Sequence, residues 1–401
     1  MHENLCCAQD LSLGLFRSDY MVHMDPQLEV PKPQIRQVEF NTIASSFGGL
    51  ASRTSSLHRY LLQSAAYPKE AATVIRPDFL PTNGSIESLA EGLGKAHGHY
   101  GPSKSGRLLC VLFIVQDPER NIFDQKHIEY ALFSYSRVKA FRLPFARILQ
   151  DTQLDHDRNL IYTSPAFPDR TYEVTTVYYR AGYSPSEYTT PSAWSARLHI
   201  ERSAAIKCPS ILSHLAGSKK VQQILATPDS PHLLRFLPYE GIAGRIKNSF
   251  APMYPLDTSA AGLEARKLAT DPVTAARFVL KPQREGGGNN IYRKAIPEFL
   301  EKLPEAQWPA YILMEMIEPP AQRNYILRNG EVEQGGVICE LGVFGTCLWR
   351  HGNGGGEGGD KGEVIENDEA GYLLRTKGDQ SEEGGVAAGF GALDSCILVD
   401  L

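Results

Sequence analysis

The segment richest in reactive side chains is FVLKPQREGGGNNIY, Phe278–Tyr292. A short apolar strand, Phe278–Leu280, leads to Lys281, whose ammonium is expected at the edge of a sheet, and Pro282 stops ladder pairing there. Glu285 then precedes Gly286, Gly287 and Gly288. Glycines let the backbone approach a ligand closely and turn N–H groups toward phosphate oxygens. Asn289 and Asn290 add side-chain donors. A lysine point charge, a carboxylate able to hold Mg²⁺ and a glycine flap together suit a nucleoside triphosphate. Three glycines alone would mark only a turn between strands.

A second segment is QVEFNTIASSFGG, Gln37–Gly49. On a strand, Glu39 and Asn41 are two apart, so both oxygens face the same side. That suits Mg²⁺, which takes few protein ligands and leaves the rest of its shell to water and substrate phosphates. A solvent-facing edge strand would give the same alternation.

Both segments need elements to position them. Ile35–Thr42 reads as the first strand, followed by a small-residue loop at Ala44–Gly49 and a helical run near Ser56–Ala66. Ser85 reads as an N-cap, with Ile86, Leu89, Ala90, Leu93 and His97 at helical spacing after it. The apolar run in Arg107–Gln116 fits a strand buried on both faces of a parallel sheet. Pro118–Asp124 is a polar loop before a helix carrying Ile128, Ala131 and Leu132. Thr175–Tyr179 reads as a strand and Ser192–Lys207 as a helix. The alternation from Leu108 to Lys207 predicts an α/β unit with a parallel sheet. Phe278–Leu280, Tyr311–Ile317 and Gly336–Phe344 are later strands, and His351–Gly362 is glycine-rich.

The 401 residues exceed a single hydrophobic core, so two or three domains are expected. The formal net charge of −5 offers no global attraction for a polyanion, which excludes nucleic acid as the expected partner. The longest apolar run, Leu108–Val115, is too short to span a bilayer, which needs about 20 residues. Seven cysteines without a CxxC pair fit a reducing, cytoplasmic setting. His97 reads as a core histidine and Asp155–Asp157 as a solvated loop. Gly354, Gly356 and Gly359 form a GxGxxG without a surrounding βαβ unit, and Gly217–Lys219 lacks the glycine a Walker A loop requires.

These segments, with RSDY at Arg17–Tyr20, ERNIFDQ at Glu119–Gln125, YRAGY at Tyr179–Tyr183, AGSKKVQQ at Ala216–Gln223, MEMIEP at Met314–Pro319, ELGVFG at Glu340–Gly345, LLRTK at Leu373–Lys377 and GGVAAG at Gly384–Gly389, resemble the eukaryotic-type glutathione synthetase family of ATP-grasp ligases. The motifs run in family order along nearly the whole chain. The resemblance implies an α/β (α+β overall) ATP-grasp fold, with antiparallel sheets gripping ATP beside a parallel α/β substrate-binding domain. It divides the chain into an N-terminal part of the ATP-grasp body at 1–107, a substrate-binding domain at 108–217, and an ATP-binding region at 218–401. It implies ligation of γ-glutamylcysteine to glycine with ATP and two Mg²⁺ per site, through an acyl phosphate, in a homodimer.

By the same resemblance, Glu39, Asn41 and Glu285 are expected as metal ligands. Lys219 and Lys281 would hold ATP phosphates under Gly286, Gly287, Gly288, Asn289, Asn290 and Tyr292. Met314, Glu315, Met316 and Ile317 would frame the adenine, with Glu340, Lys377 and Glu383 as further nucleotide contacts. Arg17 and Arg375 would be catalytic and bind substrate. Ser45, Ser46, Glu119, Asn121, Gln125, Arg180, Tyr183, Val386 and Ala387 would complete the substrate site. The RSDY motif begins at residue 17, which implies a form shortened at its N-terminus. A serine is expected where Ala44 stands, an aspartate where Glu383 stands, and relatives can carry lysine where Met316 stands. The rival classes are a ligase using another acceptor and a non-catalytic paralogue.

Overall fold

A long strand, β1 (Leu11–His23), sits where the two halves of the main sheet meet. The sequence reading did not find it, although Leu11, Leu13 and Leu15 alternate into the core. The coordinates, a computed structural model, describe residues 9–25, 29, 32–71, 74–237, 239–285, 288–328, 330–352, 362–381, 386, 389 and 391–398. The other strands are β2 (Gln34–Asn41), β3 (Leu108–Val115), β4 (Ala140–Pro144), β5 (Thr152–Leu154), β6 (Leu160–Thr163), β7 (Thr171–Tyr179) and β8 (Ile206–Cys208). They continue as β9 (Met253–Pro255), β10 (Phe278–Pro282), β11 (Ile291–Tyr292), β12 (Tyr311–Glu315), β13 (Gln322–Arg328), β14 (Glu331–Arg350), β15 (Glu363–Gly378) and β16 (Ala392–Asp394).

The large sheet runs β16-β15-β14-β1-β8-β7-β3-β4 among the described residues, with β2 paired to β1 and β13 to β14. One flank of β1 pairs antiparallel with β14. Its other flank pairs parallel with β8 at Ser12 and antiparallel with β2 from Arg17 onward. The β8-β7-β3-β4 half is parallel, as the alternation of strands and helices leads one to expect. This sheet continues from the 108–217 stretch into strands on both sides of it in sequence.

The apolar run of β3 is buried on both faces. Val111, Phe113 and Val115 pack with helices α1 (Gly48–Gln63), α2 (Ser85–Tyr100) and α3 (Ile122–Ser136). Cys110, Leu112 and Ile114 pack with Ala196 and Ile200 of helix Pro191–Glu201 on the other face. Each fully buried Leu, Ile or Phe contributes roughly 1.5–3 kcal/mol. His97 is half-buried with Nδ1 2.9 Å from Thr175 Oγ1, a satisfied core histidine. Asp155 lies in a loop and accepts N–H groups of Asp157 and Asn159.

Several boundaries differ from expectation. α1 begins at Gly48, well before Ser56, because a distant side chain caps it. Ser85 is the first residue of α2 rather than its cap, and its hydroxyl donates instead to the Gly48 carbonyl at 2.5 Å. The Pro191–Glu201 helix stops before Lys207, which lies in β8 between β7 and β1.

A smaller antiparallel sheet, β11-β10-β12-β9, packs through Val279, Ile312 and Met314 with Met21 of β1 and Val38 of β2. Lys281 is the last residue but one of β10 and pairs with Ile312 of β12. The ladder runs past it to Pro282 opposite Tyr311, so the proline does not stop pairing and the lysine lies within the sheet rather than at its edge. No helix among the described residues is long and apolar enough to cross a membrane.

Candidate active site

Between the two sheets lies a cavity of about 680 Å³. Its walls come from β1, β2 and the 43–47 loop on one side and from β10, β12 and their loops on the other. β14 and β15 close one end.

Charged groups from four strands meet at that end. Arg17 donates from Nε to Asp19 Oδ1 at 2.6 Å and from Nη2 to Oδ2 at 2.9 Å. Asn41 Nδ2 donates to Asp19 Oδ2 at 3.0 Å. Arg375 Nη2 donates to the same oxygen at 3.0 Å and also pairs with Glu340. Strand register explains the convergence: Arg17 sits opposite Asn41, Asp19 opposite Glu39, and Glu340 opposite Arg375. Burial opposes the charge on Arg375, but Glu340 and Asp19 outweigh it and raise its pKa. Burial pushes the Glu340 carboxyl up despite Arg375.

A second charged group adjoins the first, since Glu39 sits opposite Asp19 in the β1–β2 ladder. Lys219 opens helix Lys219–Ala226, and its Nζ lies 2.8 Å from Glu39 Oε2 and 3.7 Å from Glu285 Oε1. Burial alone would raise the pKa of Glu39, but Lys219 and Lys281 hold it well below the usual carboxylate range. Burial pushes Glu285 up to about 7, with Lys219 pulling it down and Glu39 pushing it further up. Lys281 Nζ donates to the Val38 carbonyl at 3.2 Å, which draws the small sheet onto β2.

The third wall is the 44–47 loop. Arg180 donates from Nη1 to the Ser45 carbonyl at 2.6 Å and from Nη2 to Ser46 Oγ at 2.9 Å. Arg17 Nη1 reaches the Ser46 carbonyl at 3.1 Å. The loop ends at Phe47, whose φ of 74° is left-handed and which offers α1 no side-chain cap. Asp124 supplies that cap from α3: its carboxylate accepts N–H groups of Phe47 at 2.9 Å, Gly49 at 2.7 Å and Leu50 at 3.1 Å. A helix N-terminus favours such a negative charge.

A family model described as "Eukaryotic glutathione synthase, ATP binding domain" matches residues 1–398. The chain belongs to the eukaryotic glutathione synthase family. It is 42% identical to "Glutathione synthetase large chain" of Schizosaccharomyces pombe over 97% of this chain and 76% of that protein. It is 40% identical to "Glutathione synthetase" of Homo sapiens, over 97% of this chain and 75% of that one. With "Glutathione synthetase, chloroplastic" of Solanum lycopersicum it shares 40% identity over 98% of this chain and 65% of the relative. A solved structure of a glutathione synthetase-like effector, GSS30 of Globodera pallida in apo form, superposes with a TM-score of 0.71 at 21% identity. That match covers 99% of this chain and 80% of the other, and it shows the shared fold. The glutathione synthase family comprises ATP-dependent ligases, and the two-sheet grip is the ATP-grasp arrangement.

Most residues that the family resemblance marks line this cavity: Arg17, Glu39, Asn41, Ser45, Ser46, Tyr183, Lys219, Lys281, Glu285, Asn289, Asn290, Tyr292, Met314–Ile317, Glu340, Arg375, Lys377 and Val386. Glu119, Asn121, Gln125, Arg180 and Gly288 do not line it. Asn121 donates to Asp124, Gln125 accepts from Arg142, and Arg180 holds the 44–47 loop. Glu119 accepts the Asn121 N–H. Gly286, Gly287, Glu383 and Ala387 lie outside the described residues, as do the central glycines of His351–Gly362. The sequence reading gave no role to Asp19 or Asp124, although both lie inside motifs it quoted. Neither carries a local signal, because partners that neutralise or cap with these carboxylates lie far along the chain, Arg375 for Asp19 and Gly49 for Asp124.

Glu39 and Asn41 share a face of β2, and Glu285 shares Lys219 with Glu39. Asn41 spends its amide N–H on Asp19, which leaves its oxygen for a cation. Among the described residues no three His, Cys, Asp or Glu side chains cluster as a metal cage. Two carboxylates and an amide oxygen fit Mg²⁺, whose remaining positions go to water and phosphate.

Proposed function

We propose that this chain joins γ-glutamylcysteine to glycine, converting ATP to ADP and phosphate. The observation that carries this reading is the joining of two charged groups in one cavity: lysines 219 and 281 with Glu39 and Glu285, and arginines 17 and 375 with Asn41. The first group suits a polyphosphate and the second a dipeptide carboxylate.

In the reaction, the cysteine carboxylate of the dipeptide attacks the γ-phosphorus of ATP, giving an acyl phosphate and releasing ADP. The glycine amine then attacks the acyl carbon, phosphate leaves, and the amine loses a proton. Lys219 and Lys281 bind phosphate oxygens, and Met314–Ile317 frame the adenine. Asn289, Asn290 and Tyr292 cover the nucleotide, with Lys377 as a further contact. Arg17 faces the reacting carbonyl, where a preorganised guanidinium stabilises the charge that develops. Arg375 takes a substrate carboxylate, with Ser45, Ser46 and Tyr183 holding the dipeptide and Val386 closing over the site to exclude water. Glu39, Asn41 and Glu285 would hold Mg²⁺, which neutralises the polyphosphate. No nucleophilic side chain is needed, because positioning and charge supply the catalysis.

A homodimer, a cytoplasmic setting and the division at residues 107 and 217 belong to the same reading. Family resemblance supports the homodimer and the division, and the free cysteines among the described residues support the setting.

Incubation of purified protein with ATP, Mg²⁺, γ-glutamylcysteine and glycine tests the function. Glutathione detected by mass, with phosphate released in equal amount, is expected. Phosphate release no greater than in the glycine-free control rejects it.

A further inference from the structure

Asp19 is fully buried and does not line the cavity, yet its carboxylate holds three residues that do. Oδ1 accepts from Arg17 Nε at 2.6 Å. Oδ2 accepts from Arg17 Nη2 at 2.9 Å, Asn41 Nδ2 at 3.0 Å and Arg375 Nη2 at 3.0 Å. A carboxylate offers about four lone-pair sites, so Asp19 is saturated by this set. The three donors come from β1, β2 and β15.

We propose that Asp19 is a positioning residue, which aims Arg17 and Arg375 at the dipeptide and turns the Asn41 amide so that its oxygen faces the cation site. The proposal rests on the reaction given above. An amide side chain can flip, and its neighbours decide which end points where. Here Nδ2 of Asn41 is held by Asp19 and approaches the Arg17 carbonyl at 3.4 Å. Oδ1 is therefore the end left for a hard cation. Asp19 itself cannot act as a base on the acceptor amine, since it has no surface in the cavity.

Space around the carboxylate is as restricted as its hydrogen bonding. Gly342 lies opposite Asp19 on β14. A Cβ there would stand 2.6 Å from Asp19 Oδ1 and 2.7 Å from Arg17 Cδ. A side chain at 342 must push this pair aside, which makes Gly342 a second handle on the same device.

Asp19→Asn keeps the shape and replaces one oxygen by a donor. In either flip, an NH₂ group then faces an N–H donor. Two measurements follow on folded protein, with melting temperature as the control. In steady state, kcat falls at least 100-fold and the Mg²⁺ concentration for half-maximal rate rises at least tenfold. In calorimetry without dipeptide, Mg²⁺ tightens ATP binding by the wild type at least tenfold more than by the variant, while ATP affinity in EDTA stays within threefold. Gly342→Ala shifts the same readouts in the same direction, by a smaller factor, and serves if Asp19→Asn does not fold. Wild-type kcat and Mg²⁺ dependence in a folded variant overturn the proposal, and so does a uniform loss of ATP binding that includes the EDTA condition. A wild type that makes no glutathione rejects the reaction. The calorimetric difference still decides the role of Asp19 in that case.

Discussion

Nζ of Lys219 lies 2.8 Å from Oε2 of Glu39, joining the first turn of a helix to a strand 180 residues earlier. Both groups are largely withdrawn from water, and Glu285 completes the set at 3.7 Å from the same ammonium. The lysine therefore balances two carboxylates that would otherwise repel. Lys219→Met should cost about 3 kcal/mol of stability, because it leaves buried charge unpaired. It should also weaken ATP binding at least tenfold. Adding Glu39→Gln should recover part of the stability and none of the ATP affinity. Thermal melts and calorimetry on Lys219→Met, Glu39→Gln and the double variant measure both effects, and additive losses would show that the pair is not coupled.

Asp124 sets the start of α1 from another helix. Asp124→Asn keeps one oxygen for the Gly49 and Leu50 N–H groups, turns an NH₂ toward the Phe47 N–H, and removes the negative charge 3.6 Å from the Arg180 guanidinium. The change should destabilise the protein by about 2–3 kcal/mol, combining a weakened cap with a lost buried charge. The 44–47 loop should loosen with it. Steady-state kinetics should show a larger rise in KM for γ-glutamylcysteine than for ATP. Equal rises would separate the cap from the substrate loop.

These two residues show where the sequence was legible. The strand at Leu108–Val115 was plain because burial on both faces leaves an unbroken apolar run. Glu39 and Asn41 were plain because a two-residue spacing fixes a shared face. β1 was missed because its second half, Arg17–Tyr20, carries charge into the interior, where Arg17 and Asp19 are 5% and 0% exposed. Their partners lie elsewhere: Arg375 is 356 positions from Asp19. The start of α1 was misplaced for the same reason, since its cap is 75 residues away at Asp124. Local pattern reports what a residue faces and is silent about distant groups that neutralise it.

Glu173 gives a pH prediction. It is fully buried, and its carboxylate accepts from Tyr100, Ser103, both the N–H and the hydroxyl of Ser105, and the Lys104 N–H. Burial would raise its pKa, but these hydrogen bonds outweigh burial and hold it at about 2. A depressed carboxylate stabilises the fold above its unfolded pKa of about 4.3, and that contribution disappears as pH falls toward the folded value. Glu173→Gln should therefore lower Tm at pH 7, and the gap from wild type should narrow between pH 4.5 and 2. A gap that stays constant over that range would remove Glu173 as its source.

His23 ends β1, and its Nδ1 accepts the Glu318 N–H at 3.0 Å. Next to it, the Met24 N–H donates to the Glu318 carbonyl at 2.8 Å. The pair fastens the large sheet to the segment after β12, whose residues Met316–Pro320 line the cavity. Burial lowers the pKa of His23 and Arg36 lowers it further, against Asp25, Glu318 and Glu315. Arg293 also reaches this cluster through its ion pair with Glu318 at 3.1 Å. Protonation puts a proton on Nδ1 and ends its role as acceptor. Because the folded pKa lies below 6.5, the hydrogen bond is complete at pH 7.5 and is lost as pH falls through the folded value. One hydrogen bond of about 1 kcal/mol corresponds to roughly fivefold in affinity. ATP binding by the wild type should weaken by up to that factor between pH 7.5 and 5.5, beyond what ATP's own titration contributes. His23→Asn places an untitratable oxygen near the position of Nδ1 and should flatten that excess. Calorimetry on both proteins across the pH range cancels the ATP contribution, and parallel curves would mean that His23 does not fasten the nucleotide wall.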